Sequence, residues 1–263
     1  MTNTRTINPW ISCSKPNTNA KLRLFCFPYA GGVASTFSSW SESLTSKVEI
    51  CPIELPGHGH RITERPFNRM KPLIHELACG LLPYLNKPFV FFGHSMGGLV
   101  SFELTHLLYQ RYGLSPVHLF VSGRRAPQVP KSEPPIYHLP EAEFINELRS
   151  LNGTPEAVLR DAELMELFLP VLRADFATIE TYVYTQKPRL NCSITVLGGL
   201  QDCEVSCEAL EAWREQTNAN FSMQMFQGDH FFINSNQTTL LQFLDRELQT
   251  MVGRINTNEI NSQ

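Results

Sequence analysis

Apolar positions along this chain keep two rhythms. One is the short unbroken run: LRLFCF at Leu22–Phe27, VEICPI at 48–53, FVFF at 89–92, VHLFVS at 117–122, SITVL at 193–197 and FSMQMF at Phe221–Phe226. Such runs predict strands, and those apolar at nearly every position predict strands buried on both faces. The other rhythm sets apolar residues three and four apart over 37–44, 70–85, 98–112, 205–217 and 237–252, which predicts helices. Strand and helix alternate, so the expectation is one α/β domain, 20–252, on a mostly parallel sheet flanked by helices. In such a sheet the loops at the carboxyl ends of the strands carry the functional groups. The loops at 29–32, at His58, at Ser95 and at Gly123 all fall there.

The rhythm breaks between Gly123 and Cys192, where no strand-like run occurs. A structureless connection of that length is improbable in a compact domain, so it should carry its own helices, at 140–151 and 161–184. Pro170 falls inside the second and should kink it or begin a new helix. An insertion at about 126–190, above the strand ends, predicts a helical lid; the alternative is a mere enlargement of the core. The polar ends, 1–19 and 253–263, are expected to be flexible.

Composition narrows the function. A chain of 263 residues, 42% hydrophobic, can bury one large core. A net charge of -3 supplies no basic field for nucleic acid or an anionic membrane. No apolar run approaches the roughly 20 residues that span a bilayer, and the first residues lack a signal-peptide core. A cytoplasmic monomer is expected. Seven cysteines with no C-x-x-C predict free thiols in a reducing compartment, with no metal site and no cofactor.

Chemistry concentrates in FVFFGHSMGGLVSFEL at 89–104. A strand, a turn with Ser95 between Gly93 and Gly97, then a helix is the setting that makes G-x-S-x-G a nucleophile elbow. A serine hydroxyl needs a base within reach, and the base needs an orienting carboxylate. In α/β-hydrolases these follow in the order Ser, acid, His, which Ser95, Asp202 and His230 supply, each at a strand end. His58, His60, His94 and Asp229 are weaker candidates; His75, His106 and His118 lie inside elements, and Asp161 and Asp175 belong to the inserted helices. The oxyanion hole should use the backbone N–H of Met96 and one from the loop after the first strand, Ala30 before Tyr29. These residues predict acyl transfer to water through an acyl-serine. They do not separate thioester from ester or amide.

FCFPYAGG, ELPGHGHR, FGHSMGG, SGRRAP (122–127), LRADFATIETY (172–182), the turn at 198–202 and GDHFF are more specific together. With them the chain, from about Leu22 to Leu248, resembles the type II thioesterases that accompany nonribosomal peptide and polyketide synthases. The resemblance implies an α/β-hydrolase fold with a helical lid. It implies an editing hydrolase that clears stalled or wrong acyl groups from the phosphopantetheine arm of acyl or peptidyl carrier-protein domains. The family's triad falls on Ser95, Asp202 and His230, and its oxyanion donors on Ala30 and Met96. Asp229 departs from the small residue common before the histidine. Tyr29, Arg124 and Arg125 are candidate substrate contacts, the two arginines toward phosphate or an acidic carrier surface. A general ester hydrolase or lipase, and a non-catalytic carrier-binding protein, are the alternatives.

Overall fold

The computed structural model describes residues 8–12, 17–131 and 133–261. Its strands are β1 (Leu22–Phe27), β2 (Val48–Pro52), β3 (Phe89–His94), β4 (His118–Ser122), β5 (Ser193–Gly199) and β6 (Phe221–Phe226). They form one sheet in the order β2-β1-β3-β4-β5-β6, and every pairing is parallel. The α-helices are α1 (Trp40–Ser43), α2 (Met70–Leu81), α3 (Met96–Tyr112), α4 (Glu141–Ser150), α5 (Glu156–Leu159), α6 (Ala162–Glu180), α7 (Cys207–Glu211), α8 (Phe232–Ser235) and α9 (Gln237–Asn261).

Successive side chains of a strand point to opposite faces, so an unbroken apolar run feeds two cores. Phe25, Phe27, Phe89, Phe91, Leu119 and Val121 meet α2 and α3 on one face. Leu22, Leu24, Cys26, Val90, Phe92 and Phe120 meet Trp40 and α9 on the other. Pro52 ends β2, an edge strand, where the missing N–H costs no ladder bond on the open side.

Between β4 and β5 the chain builds α4, α5 and α6. Phe144, Leu148, Leu159, Met165 and Leu172 form a small core of their own there. Pro170 starts no new helix: α6 runs from Ala162 to Glu180 with the proline inside it. Burial of Val171, Leu172, Ala174, Ala177 and Thr178 holds the turns after the proline in line.

Both expected flexible ends are corrected in part. Residues 1–7 and 13–16 lie outside those described, but Asn8–Ser12 is packed down. Trp10 is buried with the Arg61 guanidinium 4.4 Å over its ring. Its carbonyl accepts from Glu54 N at 3.0 Å, and Asn8 Nδ2 donates to Gly80 O at 2.7 Å. At the other end α9 continues to Asn261; Leu244, Leu248 and Val252, four apart, are followed three residues on by Ile255 against the same core. No described helix is long and apolar enough to cross a membrane.

Candidate active site

The turn between β3 and α3 is tight in a way only its glycines permit. A Cβ on Gly93 would lie 2.1 Å from the carbonyl oxygen of Gly97, and one on Gly97 would lie 2.2 Å from that of Phe27. Ser95 itself sits at φ +50°, ψ −110°, a conformation that costs a non-glycine residue on the order of 1–3 kcal/mol. Two backbone bonds hold it: Ser95 N to Ser122 O at 2.7 Å and Gly98 N to Ser95 O at 3.0 Å. Met96 follows as the first residue of α3, where the helix leaves its N–H without an intrahelical acceptor.

His230 and Asp202 arrive from the ends of β6 and β5. His230 Nδ1 lies 2.8 Å from Asp202 Oδ2, with the carboxylate side chain fully buried. An ionised carboxylate only accepts, so Nδ1 carries a proton, and in the neutral ring that leaves the lone pair on Nε2. Asp202 Oδ1 accepts from Glu204 N at 2.8 Å and Val205 N at 3.2 Å, which fixes its orientation. Ser95 and His230 line one cavity of about 590 Å³, together with Tyr29, Ala30, Arg124 and Arg125.

The other histidines fall elsewhere. His94 is buried beside His230, ring centroids 5.3 Å apart, with Nδ1 2.9 Å from Ser122 Oγ. Burial, and then the neighbouring His230, push its pKa well below the ordinary value, so it adds no charge to the site. His106 packs on Phe102, and His118 Nε2 meets Thr195 Oγ1 at 2.8 Å. Burial is the first cause lowering both to about 4. Asp161 caps α6 by accepting from Leu164 N. Asp229 Oδ1 accepts from Phe231 N at 2.9 Å, away from the imidazole partnership.

The three candidate substrate contacts differ. Tyr29 is a wall, edge-on to His94 and Phe231 at 5.7 and 5.1 Å. Arg125 is engaged locally, with Nη1 3.4 Å from Pro130 O and Nη2 3.7 Å from Glu133 Oε2. Arg124 has its carbonyl held by Trp213 Nε1 at 2.7 Å, while its buried Nε has no hydrogen-bond partner among the described residues. Burial, and next the charge of Arg125, lower its pKa to about 10.

Sequence reasoning passed over one cluster. Asp175, on α6, and His58, on the loop after β2, are both 3% exposed and meet at 2.8 Å. The same Asp175 oxygen accepts from Gly31 N at 2.7 Å, in the loop after β1. ELPGHGHR and LRADF carried the signal, but nothing in either motif says that they touch.

A strained serine and an oriented imidazole share one cavity, and relatives show the family. Residues 22–248 match the model of the thioesterase domain. The chain belongs to the thioesterase family. Gramicidin S biosynthesis protein GrsT of Aneurinibacillus migulanus is 46% identical over 247 residues, 94% of this thioesterase and 96% of the relative. The solved structure of BorB, a type II thioesterase from the borrelidin biosynthetic cluster, superposes with a TM-score of 0.83 at 32% identity, covering 91% of this chain and 98% of that one. YbtT, a type II thioesterase from the yersiniabactin NRPS/PKS pathway, gives 0.78 at 33% identity, covering 88% and 94%. The enzyme is thus a type II thioesterase of the α/β-hydrolase fold, a hydrolase of thioester bonds.

Proposed function

We propose that this thioesterase removes acyl groups from the phosphopantetheine arm of carrier-protein domains in nonribosomal peptide or polyketide synthesis, with Ser95 as nucleophile. The observation that carries it is the Asp202–His230 hydrogen bond at 2.8 Å, with His230 lining the same cavity as the strained Ser95. The pathways named for GrsT and YbtT support the substrate class. Ser95 Oγ attacks the thioester carbonyl as His230 Nε2 takes its proton. The resulting oxyanion faces the N–H groups of Ala30 and Met96. Collapse breaks the C–S bond, and the departing pantetheine sulfur takes the proton from His230. Water then attacks the acyl-serine with His230 again as base, releasing the acid and restoring Ser95. Asp202 keeps the imidazole in one tautomer and stabilises its cation.

Tyr29 walls the site, Arg125 stands on the loop at its edge, and the Arg124 guanidinium offers donors to an oxygen of the bound chain. All these residues come from one chain, so a monomer working beside its carriers in the cytoplasm suffices. Hydrolysis of a panel of acylated carrier domains is the test, set against small oxygen esters. A preference in kcat/KM for the esters would overturn the substrate class.

A further inference from the structure

We propose that Asp175 and His58 are positioning residues for the oxyanion loop, acting through the Gly31 peptide. The proposal rests on Ala30 as an oxyanion donor. The Ala30 N–H belongs to the planar unit that contains the Tyr29 carbonyl. That carbonyl is held by Gly32 N at 2.8 Å. The next unit contains Gly31 N–H, which donates to Asp175 Oδ2 at 2.7 Å. Both peptide planes around Ala30 are therefore anchored, one by its own turn and one by a helix 144 residues along the chain. Gly31, at φ +74°, leaves no room above it: a Cβ there would lie 2.5 Å from Leu172 Cδ2, one turn before Asp175 on α6.

His58 fixes the carboxylate in turn. Its Nε2 faces Asp175 Oδ2 at 2.8 Å and its Nδ1 faces the Pro56 carbonyl at 3.1 Å. Carboxylate and carbonyl only accept, so both ring nitrogens donate and the ring is an imidazolium. Breaking such a buried pair from one side leaves an uncompensated charge, so its members are not exchangeable for packing alone. The pair makes a segment of the insertion part of the catalytic frame: α6 from Leu172 onward holds the donor loop rather than merely covering it. Displacing an oxyanion donor by an ångström is enough to slow a reaction steeply.

The test measures hydrolysis of hexanoyl-N-acetylcysteamine, binding of hexylboronic acid, which mimics the tetrahedral adduct, and binding of hexanoate. Asp175→Ala should lower kcat by about 30- to 300-fold, within the cost of losing one oxyanion donor, and move KM by less than about 3-fold. Boronate affinity should fall by a similar factor while hexanoate affinity holds. Asp175→Asn retains an acceptor for Gly31 N–H and should recover at least about ten-fold of the loss. Unchanged kcat, or a raised KM and weaker hexanoate binding at intact kcat, would overturn the role. If Asp175→Ala does not fold, Asp175→Asn and His58→Gln decide: wild-type kcat and boronate affinity in both reject it. Fluorophosphonate labelling of Ser95 separates the two failures. Labelled wild type with unaffected variants sinks the positioning role alone, and unlabelled folded wild type sinks the active-site assignment with it.

Discussion

Ser95 and Asp202 differ in what their loss removes. Under the proposed mechanism Ser95 is the nucleophile, and Ser95→Ala should lower kcat by about 10⁶. Asp202→Asn keeps the side chain's shape and its room for the Glu204 and Val205 amides. It reverses the tautomer of His230, so kcat should fall less, by about 10⁴. Single-turnover acylation of both variants on an acylated carrier domain checks the order; an Asn variant as inactive as the Ala variant, or either near wild type, contradicts these roles. The Asp202–His230 contact and the cavity shared by His230 and Ser95 were legible because all three residues stand at strand ends. Arg124 and Arg125 were not separable in sequence, being adjacent and alike. Only the Trp213 bond to the Arg124 carbonyl and the Pro130 and Glu133 contacts of Arg125 set them apart.

Helix α6 was legible as a helix, but not that Pro170 would lie inside one continuous helix. The sequence shows a proline and cannot show the packing that overrides it. Pro170 still leaves the Glu166 carbonyl without its helical donor, at a cost of up to about 3 kcal/mol. Pro170→Ala should therefore raise Tm by several degrees, at roughly 2–4 °C per kcal/mol for a chain of this size. An unchanged or lowered Tm would mean that the helix is already relaxed around the proline. The far half of α6 is tied to the body by Asp175 to Gly31 and His58, and by Thr178 Oγ1 to Phe67 O at 3.0 Å. The His58 pKa is raised above 6.5. Burial, the largest single effect, pulls it down, and the Asp175 charge and hydrogen bond, the Pro56 carbonyl and the Glu54 charge together outweigh it. A raised folded pKa contributes stability that is complete below the unfolded value and lost as pH rises through the folded one. The Tm difference between wild type and His58→Gln should thus be largest at pH 6 and shrink as pH climbs above about 6.5. A difference that widens toward alkaline pH would show that the ring is neutral.

Three cores divide the protein by how firmly its parts are held. The two that sandwich the sheet are continuous along β1, β3 and β4 and take in even Trp10 and Ile255, residues of stretches whose polar composition predicted flexibility. That expectation failed because one buried tryptophan, or one more apolar turn, outweighs the polar average around it. The third core is small and joins α4 and α5 to α6 at Met165 and Leu172, while Leu164 and Leu167 in the first half of α6 remain exposed. Few buried apolar contacts imply a low free energy of local opening. Residues 141–169 should therefore exchange their amide hydrogens well before the sheet. The turns from Leu172 onward, tied at Gly31, His58 and Phe67, should exchange with the body instead. A non-hydrolysable hexanoyl-pantetheine amide in the cavity should slow exchange over 141–169, which frames its wall at Glu147, Leu148 and Leu151, more than over 172–180, where Leu172, Phe176 and Ile179 line the same cavity but are already tied to the body. Uniform protection along α6 before the ligand is added would show that the helix moves as one rod. The lid would then open together with the catalytic frame rather than above it.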